Sequence, residues 1–119
     1  MSRPWRVKFA DAGRGLSVTF RTQSSFRTHL LMTVAVVGLA SATRCSPVEW
    51  AVLVGCIGLV LAAELLNTAV ELLFRGLPQV ERDRVCLCLD VAAGGVLAAS
   101  ACAAVAGLLI FVPRLTALL

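Results

Sequence analysis

Charged side chains are scarce in this chain of 119 residues, and histidine occurs only once. Charged residues make up 15% of the sequence and hydrophobic residues 59%, a balance that is rare in a soluble domain and indicates an integral membrane protein. A single histidine and the lack of any Cys-x-x-Cys among the five cysteines argue against a structural zinc site. No basic stripe is interleaved with aromatic residues, so nucleic acid is not an expected partner. A glycine-rich Walker loop and a protein-kinase signature are also missing.

The most informative feature is a polar face inside an otherwise apolar segment. Glu64, Asn67, Thr68 and Glu71 follow the spacing i, i+3, i+4, i+7, which places all four on one side of a helix. A charge at bilayer depth costs at least about 2.5 kcal/mol, so such residues usually mark a functional site. The alternative is a hydrogen-bond network that only holds helices together. Two glutamates and an asparagine exceed what such a network requires, and we favour function.

The hydropathy pattern predicts an all-α membrane protein with three transmembrane helices and an amino-terminal surface helix, in a single domain over residues 1–119. Residues 1–24 place Trp5 and Phe9 on one helix face and arginines on the other, which is typical of an amphipathic helix in the headgroup region. The three spans are predicted at 26–43, 48–74 and 91–112. A polar loop is expected at 75–84, and Pro113 is expected to end the third span. A cleavable signal peptide is the alternative interpretation of the first apolar run.

Basic residues are concentrated in the amino-terminal segment and in the loop at 75–84. Both segments are short, so the excess of arginine and lysine predicts that both are cytoplasmic. The polar face then opens towards the cytoplasm, where nucleotide and magnesium are found. Desolvation suits the deeper Glu64 to receive a proton from a hydroxyl, and the shallower Glu71 can meet a cation. Together with Asp90, these groups match the needs of phosphoryl transfer to a lipid hydroxyl at headgroup level.

The chain resembles the small prokaryotic diacylglycerol kinases, a family that includes undecaprenol kinases. The resembling segments are residues 14–16, 25–30, 49–51, 63–71, 90–96 and 111–115. The specific part is the Glu-x-x-Asn-x-Ala-x-Glu core that begins at Glu64. The resemblance implies a homotrimer in the bacterial inner membrane, with the amino terminus in the cytoplasm. It also implies transfer of the γ-phosphate of Mg-ATP to diacylglycerol, giving phosphatidic acid, or to undecaprenol, giving undecaprenyl phosphate.

The resemblance also implies roles for individual residues. Glu64 corresponds to the general base and Asn67 to the polar residue that supports it. The implied lipid-binding residues are Glu64, Arg14, Phe26 and Arg27. The implied magnesium ligands are Glu71 and Gln23, and the implied nucleotide-binding residues are Asp90, Glu71, Gln23, Arg82 and Arg84.

Three positions depart from the family pattern. Gln23 stands where the family has a glutamate that shares the metal, Leu89 where it has a lysine near the ATP phosphates, and Arg75 where it often has an aspartate. These departures support a second hypothesis, a non-catalytic member that binds lipid or nucleotide. Arginine binds phosphate well, so Arg75, Arg82 or Arg84 could replace the positive charge lost at position 89.

Overall fold

A computed structural model describes residues 3–119, and this part of the chain contains five α-helices and no strand. The helices are α1 (Trp5–Thr22), α2 (Ser24–Ala42), α3 (Pro47–Arg75), α4 (Gln79–Val85) and α5 (Leu87–Leu118). By length and composition α2, α3 and α5 are able to cross a membrane. The predicted all-α class with three long apolar helices is therefore confirmed. The 29 residues of α3 extend over about 44 Å, which exceeds the roughly 30 Å thickness of the bilayer core.

The turn between α2 and α3 is fixed by local hydrogen bonds at both helix ends. Ser46 and Glu49 form a reciprocal capping box, in which the Glu49 N–H donates to Ser46 Oγ at 3.2 Å and the Ser46 N–H donates to Glu49 Oε1 at 2.8 Å. Pro47 occupies the first helical position, where no N–H is needed. At the end of α2, Arg44 adopts a left-handed backbone conformation with φ of 54°. Glycine is the usual residue at such a position.

An arginine near the end of α5 holds this turn against the rest of the protein. Arg114 donates to both carboxylate oxygens of Glu49, at 3.1 Å for the Nε to Oε2 contact, and to the carbonyls of Thr43 at 3.0 Å and Arg44 at 3.1 Å. The helix continues through Pro113 to Leu118, so the expectation that Pro113 ends it is wrong. Proline removes one backbone hydrogen bond, and the contacts of Arg114 hold the chain immediately after it.

The segment between α3 and α5 is not simply a polar loop, because Gln79–Val85 form the short helix α4. Arg82 folds back onto the end of α3. Its Nε donates to the Leu77 carbonyl at 2.9 Å and its Nη2 to the Arg75 carbonyl at 2.6 Å. These bonds satisfy carbonyls that have no partner within a helix. The turn is therefore ordered by contacts that the composition of the segment does not indicate.

Packing within one chain leaves most of the apolar surface uncovered. The main cluster of buried residues contains Ala40, Cys45, Leu53 and Phe111, near the turn between α2 and α3. Between 11% and 17% of an 18-residue stretch of each span is buried inside the chain. Gly94 and Ala98, the small-xxx-small pair of α5, are both exposed.

Candidate active site

Glu64 is the buried carboxylate of the polar face, with a relative exposure of 4%. Its two carboxylate oxygens face different side chains of α2. Ser25 Oγ donates to Oε2 at 3.1 Å, and His29 Nε2 lies 3.3 Å from Oε1. On its own helix, the Thr68 hydroxyl donates to the Glu64 carbonyl at 3.0 Å. The cluster therefore joins α2 to α3 through a carboxylate, a hydroxyl and an imidazole.

Ser25 and His29 are the neighbours of Glu64 that the sequence did not single out for a role in the site. They are four positions apart on α2, so they lie on the same helix face. This spacing is a usable signal once Glu64 is known to pack against α2. The Arg27 guanidinium makes contacts outside this cluster. It donates to the carbonyls of Phe20 at 2.7 Å and Arg21 at 3.1 Å, and so satisfies the end of α1.

Asn67 and Glu71 form a second group, nearer the α4 end of α3. Asn67 Nδ2 donates to Glu71 Oε1 at 3.0 Å, and Arg75 Nη2 lies 3.6 Å from Glu71 Oε2. The other side-chain atom of the amide, Asn67 Oδ1, is buried and has no hydrogen-bond partner among residues 3–119. Leaving a buried acceptor unpaired costs about 1–3 kcal/mol. The hydrogen-bonding capacity of this oxygen is therefore unmet within the described part of the chain.

This oxygen-rich group fits a magnesium ion better than a softer metal. Mg²⁺ prefers oxygen ligands, and proteins usually bind it through one or two carboxylates together with substrate phosphates. Glu71 supplies one carboxylate. Asn67 turns its Nδ2 towards that carboxylate, and a change of its side-chain orientation would be needed to offer its Oδ1 to the same ion. Within residues 3–119, no three histidine, cysteine, aspartate or glutamate side chains come together to hold a metal. A chain that binds Mg²⁺ here must share it with phosphate oxygens or water.

Two predicted site residues lie where the chain turns between α1 and α2. Gln23 is half-buried and extended, with φ of −113° and ψ of 109°, and it separates the two helices. Phe26 is buried, with 3% exposure, so it serves as a packing residue in this structure. Arg14 is exposed on α1 and pairs with Asp11.

The predicted nucleotide-binding residues are spread over α4 and α5. Asp90 is exposed in the first turn of α5 and makes no side-chain hydrogen bond within the described residues. Leu89, beside it, is half-buried. Arg82 is committed to the end of α3, whereas Arg84 is exposed and forms no hydrogen bond or ion pair within residues 3–119. Of these two arginines, Arg84 is the one that is free to meet a phosphate.

A cavity of about 500 Å³ opens between α2, α3 and α5. Its lining is almost entirely apolar and includes Met32, Leu53, Val60 and Phe111. His29 lies in the lining and also contacts Glu64. An apolar chain in this cavity would therefore contact His29, which neighbours the buried carboxylate.

The fold and the site together define an all-helical membrane protein with an acidic cluster between its spans. The model of the prokaryotic diacylglycerol kinase family matches residues 10–111. An undecaprenol kinase from Bacillus subtilis is 34% identical over 107 residues, covering 90% of this chain and 87% of the relative. A diacylglycerol kinase from Synechocystis sp. is 36% identical over 114 residues, covering 95% of this chain and 65% of the relative. No solved structure matches.

The chain belongs to the prokaryotic diacylglycerol kinase family. Membership makes it a lipid kinase, a phosphotransferase that acts on an alcohol group and uses ATP as co-substrate. The family assignment predicted from the sequence is confirmed, and the non-catalytic hypothesis is not favoured.

Proposed function

We propose that the chain transfers the γ-phosphate of Mg-ATP to the hydroxyl of a membrane lipid, either diacylglycerol or undecaprenol. The observation that carries the proposal is the position of Glu64, a buried carboxylate 3.3 Å from His29, which lines an apolar cavity. A lipid with its tail in this cavity would present its hydroxyl to Glu64. The names of the two relatives support these two alcohols in particular.

In the proposed mechanism, Glu64 acts as general base. It takes the proton of the lipid hydroxyl, whose oxygen then attacks the γ-phosphorus, and ADP departs as the phosphorus–oxygen bond breaks. The hydrogen bond from Ser25 holds Oε2 in place, and Oε1, which faces His29, is the oxygen that would act on the alcohol. A tenfold change in rate corresponds to about 1.4 kcal/mol of barrier, so precise placement of this carboxylate has a large effect.

Nucleotide binding is assigned to the α4 end of the polar face. Glu71, Asn67 and Gln23 are the residues that would hold Mg²⁺, and the ion would neutralise charge on the phosphates. Arg84 and Asp90 are exposed on the neighbouring helices α4 and α5 and complete the proposed nucleotide site. The lysine that the family has at position 89 is replaced by Leu89, and an arginine from the α4 region would supply the missing positive charge.

The setting of the site follows from the same proposal. ATP must reach it from the cytoplasm, so the amino terminus and α4 are assigned to the cytoplasmic side of the bacterial inner membrane. A homotrimer is proposed for the assembly. The exposed Gly94 and Ala98 face of α5 supports some close helix contact between chains.

The test is a transfer assay with labelled ATP on purified protein in mixed micelles. Diacylglycerol and undecaprenol are offered separately, with Mg²⁺ present or removed by a chelator. We expect Mg²⁺-dependent labelling of at least one lipid. Labelling of neither lipid, by protein that circular dichroism shows to be helical, would contradict the proposal.

A further inference from the structure

The two α2 residues that face Glu64 are not chemically equivalent. Ser25 uses its hydroxyl as a donor to Oε2, and a serine hydroxyl does not titrate in the ordinary pH range. His29 presents a ring nitrogen 3.3 Å from Oε1. A neutral imidazole can take a proton at one ring nitrogen and release it near neutral pH. Only one of the two partners is therefore able to carry a proton away.

The burial of Glu64 creates a need for such a carrier. Once it has taken the proton of the lipid alcohol, Glu64 must lose that proton before it can act again. Its side chain is 6% exposed, whereas that of His29 is 21% exposed. Within residues 3–119, no arginine, lysine or other carboxylate forms a hydrogen bond or ion pair with Glu64, and His29 is the titratable side chain within ion-pair distance of it. The imidazole also lines the cavity between α2, α3 and α5, and it is the more exposed of the two groups.

We propose that His29 receives the proton from Glu64 after each phosphoryl transfer and releases it to water. This inference rests on the proposed kinase function. In full, the lipid O–H bond breaks and its proton goes to Glu64, while the alcohol oxygen bonds to the γ-phosphorus and ADP leaves with the electrons of the broken bond. The proton then passes from Glu64 Oε1 to His29 Nε2, and the imidazolium returns it to solvent.

The observed separation is compatible with this step. A contact of 3.3 Å is slightly longer than the usual hydrogen bond, and catalytic contacts commonly shorten when substrate is bound. His29 acts through Glu64 and has no bond to make with the phosphate. It is therefore a positioning residue in the sense that it acts only through Glu64. A test of its role must distinguish proton transfer from a hydrogen bond that merely supports the carboxylate.

Two substitutions of His29 distinguish proton transfer from support of the carboxylate. His29→Gln keeps an amide that can bond to Glu64 but cannot carry a proton. We expect kcat to fall at least about tenfold, with the KM values for ATP and lipid within about twofold of the unmodified protein. His29→Ala leaves space beside the cavity, and added imidazole should raise its rate in a concentration-dependent way. The control is Thr28→Gln, which places the same amide at an exposed neighbouring position of α2 and should leave kcat unchanged.

Opposite results would overturn the inference. A His29→Gln protein with the kcat of the unmodified protein would show that support alone is enough. A folded His29→Ala protein that does not respond to imidazole would show that no proton passes through this position. This second variant keeps the test decisive if His29→Gln fails to fold. If the unmodified protein phosphorylates no lipid, the proposed function fails and the inference fails with it. If the unmodified protein is active and both His29 variants remain fully active, the inference alone fails.

Discussion

Replacing Glu64 with glutamine is the most direct perturbation of the proposed chemistry. The amide has nearly the same size and shape as the carboxylate. Its oxygen can accept the Ser25 hydrogen bond, and its NH₂ group can donate to a neutral His29. Ser25 Oγ and His29 Nε2, which lie 3.1 Å and 3.3 Å from the carboxylate oxygens, therefore both keep a hydrogen-bond partner. The substitution also removes a charge that is 4% exposed, so it should not lower stability.

The loss should instead appear in the rate of phosphoryl transfer. General base catalysis contributes roughly 10²–10⁴-fold, or about 3–5 kcal/mol of transition-state stabilisation. We expect kcat for lipid phosphorylation in mixed micelles to fall by this factor, while the binding of ATP changes little. ATP binding is a useful internal comparison because the proposed nucleotide site lies at Glu71 and beyond, nearer the α4 end.

The matched control is Glu81→Gln, the same loss of charge on α4, where the carboxylate makes no side-chain hydrogen bond or ion pair within the described residues. It should retain near-normal kcat. A folded Glu64→Gln protein that keeps more than about a tenth of the unmodified rate would refute the assignment of the base, given the contribution expected of such a group.

The remaining predictions concern the turn between α2 and α3 and the short helix α4. Arg114→Gln removes the partner of Glu49 and of two turn carbonyls, so the thermal midpoint in detergent should fall while kcat at low temperature is kept. Arg44→Gly relieves a left-handed backbone conformation and should raise the free energy of unfolding by up to about 1 kcal/mol; a decrease would contradict the strain argument. Arg84→Ala should raise the KM for ATP several-fold with no change in the thermal midpoint, whereas Arg82→Ala should lower the midpoint because its side chain caps α3. An unchanged KM in Arg84→Ala would remove this residue from the nucleotide site.

Hydropathy and spacing were sufficient to predict the architecture because both act locally. A long apolar run in a membrane must satisfy its backbone within itself, and a helix does so. Helix ends were less predictable. The continuation of α5 past Pro113 and the folding of α4 are accompanied by hydrogen bonds from Arg114 and Arg82, whose side chains reach across turns to distant carbonyls. Contacts of this kind leave no periodic signal in the sequence.

The candidate site was also only partly predictable from the sequence. The shared face of Glu64, Asn67 and Glu71 follows from their spacing on one helix. Their partners on α2 could not be chosen from spacing alone, because Ser25 is 39 positions away from Glu64. Only the packing of α2 against α3 selects Ser25 and His29 from the other polar residues of α2.

The two ends of α3 show how a structural polar group differs from a candidate functional one. At the α2–α3 turn, Glu49 is fully partnered by Ser46 and Arg114, as expected where the purpose is to hold helices together. Towards α4, Asn67 Oδ1 is buried without a partner among residues 3–119. A network that served only stability would gain from pairing this oxygen, since an unpaired buried acceptor costs about 1–3 kcal/mol. The fold tolerates that cost at one end of α3 and avoids it at the other, which favours a ligand at the α4 end. This contrast favours an enzyme over a membrane protein that has kept only the scaffold of the family.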